Sequence, residues 1–547
     1  MTAQTAGTSP PQRPSAWAPF GVGAFALLWS ATLISNIGTW MHDVGAGWLM
    51  TTLDPSPSVV TLVQAATTLP VFLFALFAGT LADRIDKRRL LIIVNVLMMA
   101  VASVLAVLVA LDWMTPTLLV LITFLIGTGA AFMGPAWQSV VPELVPRSHL
   151  QPAIALNSMG INISRAIGPA LAGVLITAIG LAAPFALNAL SHVFIIAALV
   201  AWRREAPARS TLPPEPLGSA MLTGLRHAAN NAPFKATLVR AASFFLFASA
   251  YWALLPLVAR NAPTGGAELY GYLLAAVGTG AVLGALALPK LRARTDTNGL
   301  AFGGVIATAA AMVALALVSV PTLMVLAALA SGAGWITVLT SLNISAQTAL
   351  PNWVRARGLA VFLMVFFGSM ALGSTLWGQV ATVLSVSLAL LIAAGGALAV
   401  LPLVRRARLG AGEQLDLTPA TFWPEPVLVG KLGDQALRGP VMISIEYEID
   451  PSKTDAFLAA IHQLAGERYR DGAYQWGVYQ KSDSTAVWRE WFLLASWAEH
   501  LRQHERITVH DRSLHEAVRQ FHVGDTPPIV SHWLAADTPV ASSEQST

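Results

Sequence analysis

Long apolar runs constrain this chain more strongly than any other feature of its sequence. The hydrocarbon core of a bilayer is about 30 Å thick, so a helix that crosses it needs roughly 20 apolar residues. Of the 547 residues, 55% are hydrophobic and 11% are charged, which excludes an ordinary soluble protein. The sequence therefore predicts an all-α polytopic membrane protein with twelve transmembrane helices, near 20–41, 58–82, 90–111, 117–140, 152–178, 183–202, 236–259, 269–289, 300–319, 322–346, 357–381 and 383–404.

A proline-rich, basic segment divides these runs into two halves of six. Gln138 precedes Pro142 just as Gln347 precedes Pro351, and each pair leads into a glycine-rich run. A six-helix unit repeated in one orientation is typical of transporters that rock two bundles around a midplane site. The predicted divisions are a disordered tail (1–19), an N-terminal six-helix bundle (20–202), a cytoplasmic linker (203–235), a C-terminal six-helix bundle (236–404), a linker (405–439), a cytoplasmic ferredoxin-like α+β domain (440–536) and a disordered tail (537–547).

The placement of lysine and arginine predicts the orientation in the membrane. Every second loop is basic, and cytoplasmic loops retain positive charge. Of the alternate loops, only the one with Arg260 carries a basic residue. We therefore expect a multi-pass protein of the inner or plasma membrane with both termini and the C-terminal domain in the cytoplasm.

The loop after the second run carries a motif. Its sequence is Gly79-Thr-Leu-Ala-Asp83-Arg84-Ile-Asp86-Lys87-Arg88-Arg89, which resembles the loop 2–3 signature of the major facilitator superfamily, except for an aspartate at 86 where the family has glycine. The resemblance implies the major facilitator fold and a charge-paired latch that holds one access state. The residues assigned to gating in this loop are Gly79, Asp83, Arg84, Arg88 and Arg89. A basic anchor without a gating role is the alternative.

The fifth run contains Ser164-xxx-Gly168-Pro169-xx-Ala172-Gly173. It resembles the superfamily's antiporter motif, with serine and alanine at two of its glycine positions, and the resemblance assigns gating to Gly168, Pro169 and Gly173. The surrounding sequence, from Gly134-Pro-Ala-Trp-Gln138 onward, resembles the sequences of the superfamily branch that contains enterobactin-type siderophore exporters and macrolide efflux proteins. The resemblance implies proton-coupled efflux of a sizeable organic molecule. Close packing alone would also account for the small residues.

Polar residues inside apolar runs predict the transport pathway, because a polar or ionisable group in lipid is costly unless it faces the bundle interior. Asp43 is a candidate proton carrier. Arg165 is either a substrate or gating charge or a partner of backbone carbonyls, and His192 either carries the coupled proton or is a neutral core residue. The candidate substrate and coupling residues are Asn36, Asp43, Gln64, Asn157, Asn162, Arg165, His192, Asn343 and Gln347.

The polar C-terminal segment has a βαββαβ pattern, with strands near 441–449, 474–481, 486–494 and 528–535 and one long helix near 496–520. It resembles the dimeric α/β barrel domains related to antibiotic-biosynthesis monooxygenases, so a second copy of the chain is an expected partner. His500, His504 and His510 lie among charged residues, which is typical of a solvated helix face and argues against a metal site.

Two other functions stay open: a membrane-tethered enzyme, in which residues 440–535 oxidise or bind a small molecule, and an importer of the same fold. The chain has no cysteine, so disulfides and thiolate chemistry are excluded. We expect no cofactor, no metal, no catalytic residues and no nucleic-acid partner. The expected partners are the lipid bilayer, protons and a small organic substrate.

Overall fold

The computed structural model describes residues 15, 17–82, 85–202, 217–420, 423 and 438–535. Within this part of the chain, twelve helices are long and apolar enough to cross a membrane. They are α1 (Gly23–Leu53), α2 (Pro57–Ala82), α3 (Lys87–Ala110), α4 (Pro116–Val140), α5 (Leu150–Ala178), α6 (Ala183–Ala201), α8 (Ala232–Asn261), α9 (Ala267–Arg292), α10 (Thr297–Leu317), α11 (Pro321–Thr348), α12 (Arg355–Val383) and α13 (Val386–Val404). Most of the predicted N-terminal tail and the whole predicted C-terminal tail lie outside the described residues.

Helix α1 differs from its predicted bounds, because it continues to Leu53 instead of ending near residue 41. Asp54 ends it with an extended backbone (φ −149°, ψ 108°). The following residue is Pro55, which disfavours a helical conformation in the residue before it. Asp43 therefore lies well inside a membrane helix and not at its outer end.

The segment between the halves also holds structure that the sequence analysis missed. Helix α7 (Leu217–Asn230) occupies the second part of the predicted linker 203–235. Its last turn is followed by Asn231, whose side-chain oxygen accepts a hydrogen bond from the backbone N–H of Phe234 at 3.0 Å. That bond caps the start of α8, so a turn of one residue joins the two helices.

The chain divides into two compact units. The described part of the first unit comprises residues up to 202, 239–343 and 362–406, which is most of the membrane helices. In it, α1 packs on α5 and α6, α2 on α4, and α5 on α9. Glycines allow the closest helix approaches: a Cβ at Gly280 of α9 would overlap the carbonyl oxygen of Leu329 in α11, and a Cβ at Gly332 would overlap that of Val277.

The described part of the second unit comprises 217–238, 344–361, 407–420, 423 and 438–535. Its sheet has strands β1 (Val441–Glu448), β2 (Gln475–Gln480), β3 (Val487–Leu494) and β4 (Ile529–Leu534), in the order β2-β3-β1-β4 with antiparallel neighbours. Its helices are α14 (Thr454–Arg470), α15 (Trp497–Arg506) and α16 (Val509–Arg519). Alternate residues of β1, including Val441 and Ile443, pack with Phe457 and Ile461 of α14 in one apolar core.

The prediction of one long helix near 496–520 is wrong, because the segment forms α15 and α16. Thr508 separates them with an extended backbone. Its hydroxyl accepts from the N–H of Asp511, and the Asp511 carboxylate accepts from the N–H of Thr508. This reciprocal capping box gives hydrogen-bond partners to backbone N–H groups at the start of α16 that have no acceptor within the helix. The spacing Thr508-Val-His-Asp511 is the sequence signal that could have revealed the break.

The core of the second unit contains buried charge. Arg468 is fully buried, and its guanidinium donates to the two Glu490 oxygens at 2.9 and 3.3 Å. Trp476 and Tyr447 donate to the same carboxylate. Burial alone would raise the pKa of Glu490, but Arg468 outweighs it and holds that pKa below its ordinary value. Removing either member of such a pair leaves an uncompensated buried charge.

The expected solvated histidine face is also wrong. His500 is 2% exposed, and its ring lies 4.8 Å from the ring of His504 and 4.8 Å from that of His532 on β4, measured between centroids. Burial, together with the neighbouring His504 and His532, lowers the pKa of His500 to about 3. Charged neighbours misled the prediction because Glu499 and Arg506 pair with each other and are themselves buried.

We predict that Gly280→Ala destabilises the membrane helices by on the order of 1–3 kcal/mol, because the new methyl group meets a backbone carbonyl that cannot rotate away. Thermal unfolding of the purified protein in detergent measures the loss. Gly395→Ala in α13 is the matched control, since a Cβ there meets nothing within 4 Å. Equal melting temperatures for the two variants would contradict the close α9–α11 approach.

Candidate functional site

A cavity of about 330 Å³ lies inside the first unit between the two halves. Helices α1, α2 and α5 of the first half and α8, α9, α11 and α12 of the second supply its walls. Three of the predicted pathway residues line it, namely Asp43, Gln64 and Arg165. Its volume falls within the ~300–1,000 Å³ typical of small-molecule sites.

One wall of the cavity is aromatic. Trp252 and Trp335 have ring centroids 5.2 Å apart, and Phe366 lies 6.2 Å from Trp335 and 4.4 Å from Phe367. The indole N–H of Trp252 is buried and has no hydrogen-bond acceptor among the described residues. A bound molecule can therefore stack on this wall and accept a hydrogen bond from it. Sequence analysis missed these residues, although aromatic side chains inside the predicted runs were a visible signal.

Two charged side chains face the cavity, Asp43 from α1 and Arg165 from α5. The Arg165 guanidinium carbon lies 5.3 Å from the centre of the Trp40 ring, and its Nε atom is buried without a hydrogen-bond partner in the described structure. Neither charge forms an ion pair with another described residue. An arginine that stays charged and keeps a free donor offers an attachment point for an acceptor group of a bound molecule.

Several other predicted pathway residues have local structural partners instead. Asn157 accepts a hydrogen bond from the indole of Trp137 at 3.1 Å, and Asn162 donates to the carbonyl of Ser158 at 2.9 Å. His192 is fully buried, with its Nδ1 atom 3.0 Å from the Asn95 side-chain oxygen. None of them is among the cavity-lining residues.

The remaining predicted pathway residues also lie away from the cavity lining. Asn36 is half-buried on α1, whereas Asn343 and Gln347 are exposed on α11. Polar residues spaced three or four apart do share a helix face, but the spacing does not say whether that face meets the cavity, a neighbouring helix or the outside. Asn343 and Gln347 lie one and two turns beyond the cavity-lining Leu339 on the same face of α11, so their distance along the helix, and not the direction of the face, separates them from the cavity.

The loop signature lies only partly in the described structure, because Asp83 and Arg84 fall outside the described residues. Arg88 donates to the carbonyl oxygens of Leu199 and Val200 at the end of α6, both at 2.7 Å. The last carbonyls of a helix have no N–H partner within that helix, so a cation at the end of α6 is favourable. Asp86 accepts from the N–H of Arg89 and caps α3, which gives the departure from the family's glycine a physical role.

Two further gating candidates of this loop lie within the described residues. A Cβ built on Gly79 meets no described atom within 4 Å. Arg89 is exposed at the start of α3.

The small-residue motif of α5 lies where helices cross most closely. A Cβ on Gly168 would come within 2.5 Å of the Trp40 Cβ in α1, and one on Gly173 within 3.0 Å of the Ala267 carbonyl oxygen in α9. Pro169 is buried in the same stretch, and its carbonyl faces Gly271 of α9. The motif therefore forms the backbone contact between the two halves beside the cavity.

The known proteins that this chain resembles are membrane transporters. The chain is 26% identical over 422 residues to the multidrug efflux pump Tap of Mycobacterium bovis, which covers 74% of this chain and 97% of that protein. It is 26% identical over 271 residues to the staphyloferrin A transporter of Staphylococcus aureus, covering 48% of this chain and 66% of that transporter.

A crystal structure of a bacterial homologue of the human lysosomal transporter Spinster superposes with a TM-score of 0.56 at 13% identity. The superposition covers 71% of this chain and 95% of that one, and it shows the shared fold. The sequence profile of the transmembrane secretion effectors matches residues 14–540. The chain therefore belongs to the transmembrane secretion effector family, a family of multi-pass membrane transporters in the major facilitator superfamily.

Proposed function

We propose that this protein exports a siderophore-like or drug-like organic molecule by alternating access, in exchange for protons. The observation that carries the proposal is the cavity between the halves, with an aromatic wall and two charged groups. Because both halves supply its lining, rocking one half against the other would change which side the cavity opens to. An aromatic wall suits amphipathic molecules that bear rings or long apolar parts.

Export, and not import, is supported by two features. One is the α5 motif at the crossing of the halves, which resembles the antiporter motif of the superfamily. The other is the similarity to the Mycobacterium relative, which is a multidrug efflux pump. With basic loops inside, the protein sits in the cell membrane with its C-terminal domain in the cytoplasm.

In this proposal the pathway residues have separate tasks. Asp43 carries the coupled proton, since it is the carboxylate among the cavity-lining residues. Arg165 and Gln64 bind the substrate's polar groups. Asp83 and Arg84 complete the loop latch that Arg88 anchors to the end of α6. His192 and Asn157 serve packing, because their described partners are neighbouring side chains away from the cavity.

Asp43→Asn should reduce proton-driven transport by about tenfold or more, because the amide cannot take up and release a proton. Everted vesicles with an imposed pH gradient measure it, using a panel of amphipathic drugs and siderophores to find a molecule that the wild type accumulates. Asp112→Asn is the control, since it removes the same charge from an exposed turn. Full activity of Asp43→Asn would exclude Asp43 as the proton carrier. Outward movement from these vesicles would indicate an importer, and no movement of any panel member would overturn the efflux proposal.

Arg165→Ala should reduce transport more than Arg165→Lys does. Lysine keeps the charge but loses the planar set of donors that stacks over Trp40. The same vesicles give initial rates at several substrate concentrations, so a raised KM distinguishes lost binding from impaired turnover. Arg292→Ala, at the exposed end of α9, controls for loss of a positive charge. Equal, full activity of both Arg165 variants would show that the residue has no part in transport.

For the C-terminal domain we propose a ferredoxin-like fold that pairs with a second copy through its open sheet face. The strand order and the antiparallel pairing support the fold. Trp533 of β4 pairs with Met442 of β1, one residue out of phase with the buried Ile443, so it belongs to the face away from the core. Trp533 is 58% exposed and Tyr479, on β2, is 61% exposed. Large exposed apolar side chains on one sheet face are typical of an interface.

Trp533→Glu should convert a dimer to a monomer while leaving transport in vesicles measurable. Light scattering during size-exclusion chromatography in detergent measures the mass. Val523→Glu is the control, because Val523 is similarly exposed, at 59%, but lies outside the sheet. A monomeric wild type, or a dimer that survives Trp533→Glu, would contradict pairing through this face.

A further inference from the structure

A tyrosine of the second half reaches α1 beside the residue proposed to carry the proton. Tyr270, in the first turn of α9, lines the central cavity, as do Asp43 and Gly47 of α1. A Cβ built on Gly47 would lie 2.8 Å from the Tyr270 hydroxyl oxygen. The hydroxyl therefore fills the space that a side chain at residue 47 would take, and glycine leaves that space open.

This space extends toward Asp43. Residues 43 and 47 lie one turn apart on the same face of α1, and a helical side chain covers the turn on the N-terminal side of its own Cα. A hydroxyl in the place of a side chain at 47 thus lies over the turn that carries Asp43, and Tyr270 and Asp43 interact electrostatically. The Trp48 ring stacks beside the Tyr270 ring, with 6.4 Å between their centroids.

Both groups are open for a hydrogen bond. In the described structure neither the Asp43 carboxyl group nor the Tyr270 hydroxyl has a hydrogen-bond partner. An ionised carboxylate can only accept, whereas a phenol can donate. A hydrogen bond to a charged group is stronger than one between neutral groups. The contact between these two side chains is therefore strong when Asp43 is ionised and weak when Asp43 is protonated.

The other titratable groups around this part of α1 leave the hydroxyl as the donor nearest the carboxylate in the described structure. Arg165 of α5 forms no ion pair with the carboxylate, Tyr251 of α8 does not line the cavity, and Glu268 of α9 is exposed. On another face of α1, His42 interacts with His192 of α6. Helices α2 and α4 carry no titratable side chain.

We propose, on the basis of the proton exchange proposed above, that Tyr270 links the charge of Asp43 to closure of the outer side of the transporter. When Asp43 is ionised, its carboxylate accepts a hydrogen bond from the Tyr270 hydroxyl and joins α1 of the first half to α9 of the second. Both residues lie toward the helix ends that face outward when the termini are cytoplasmic. Substrate bound in the cavity breaks the contact by taking one of the two groups as its own partner.

The contact prevents transport of protons without export. An exchanger that opens outward while empty and ionised takes up a proton there and carries it inward, which dissipates the gradient. The hydrogen bond between the halves lowers the population of that empty, outward-open state. Loss of the hydroxyl should therefore uncouple the two movements and leave the cavity itself intact.

Proton leak without substrate tests this inference. The protein is reconstituted in liposomes, potassium and valinomycin impose a membrane potential, and an enclosed pH-sensitive dye reports proton entry. Tyr270→Phe should raise the leak about tenfold, the loss of one hydrogen bond to a charged group. Tyr272→Phe is the matched control, because Tyr272 lies on the same helix and is 48% exposed. A wild-type leak in Tyr270→Phe overturns the inference.

Two further variants tie the leak to this contact. Adding Asp43→Asn to Tyr270→Phe should abolish the extra leak, since the amide takes up no proton; a leak that persists overturns the inference. Gly47→Ala places a methyl group where the hydroxyl lies, so it should leak like Tyr270→Phe, and the two changes together should leak no more than either alone. A wild-type leak in Gly47→Ala, or leaks that add, also contradict the contact.

The vesicle transport assay separates this inference from the proposed function. Full transport by Asp43→Asn would remove Asp43 as the proton carrier and the proposed exchange with it. Loss of transport in Asp43→Asn, together with a wild-type leak in Tyr270→Phe, would overturn the role of Tyr270 alone.

Discussion

Close backbone contact between helices is the interaction on which the rest of this structure depends. In lipid a helix satisfies its own N–H and C=O groups, and apolar side chains gain nothing by leaving lipid for each other. Association must then come from close packing, which glycine permits. Gly173 and Gly271 bring α5 and α9 together across the two halves, and Gly278 approaches the Arg165 carbonyl in the same crossing. These contacts join the two halves beside the cavity.

The same crossing of α5 and α9 also positions the positive charge of the central cavity, which belongs to Arg165. Arg165 lies on α5 one turn before Gly168, so the helix that forms the contact between the halves also carries the cation into the space between them. The ring of Trp40 stacks over the Arg165 guanidinium. The Cβ of Trp40 and the carbonyl oxygen of Ile37, both on α1, approach Gly168 of α5. The position of the Arg165 guanidinium therefore depends on the close contact between α1 and α5 at Gly168. A substitution that opens the helix crossing would also displace the cation.

The core of the second unit, unlike the contacts between membrane helices, contains buried charged side chains. It buries charge instead of excluding it, and it satisfies most of that charge internally, as Arg468 does with Glu490. The unit also contains α7 and one end of each of three membrane helices. These ends are the start of α8 (232–238), the end of α11 (344–348) and the start of α12 (355–361). Trp353, between α11 and α12, has the Arg506 guanidinium 4.4 Å above its ring and His227 of α7 at its edge. The C-terminal domain thus packs as one body with segments that continue into the membrane helices.

The sequence by itself determined the number of membrane helices, the division into two halves, the loop and α5 motifs and the four strands, because each is encoded in a local pattern. Only the tertiary structure decided which polar faces line the cavity. Asp43, Gln64 and Arg165 meet there, whereas His192, which is also a polar residue inside an apolar run, packs on Asn95. Tertiary packing also buried His500 among charged residues that looked solvated. Periodicity fixes which residues share a face, but the partner of that face depends on contacts between segments far apart in the chain.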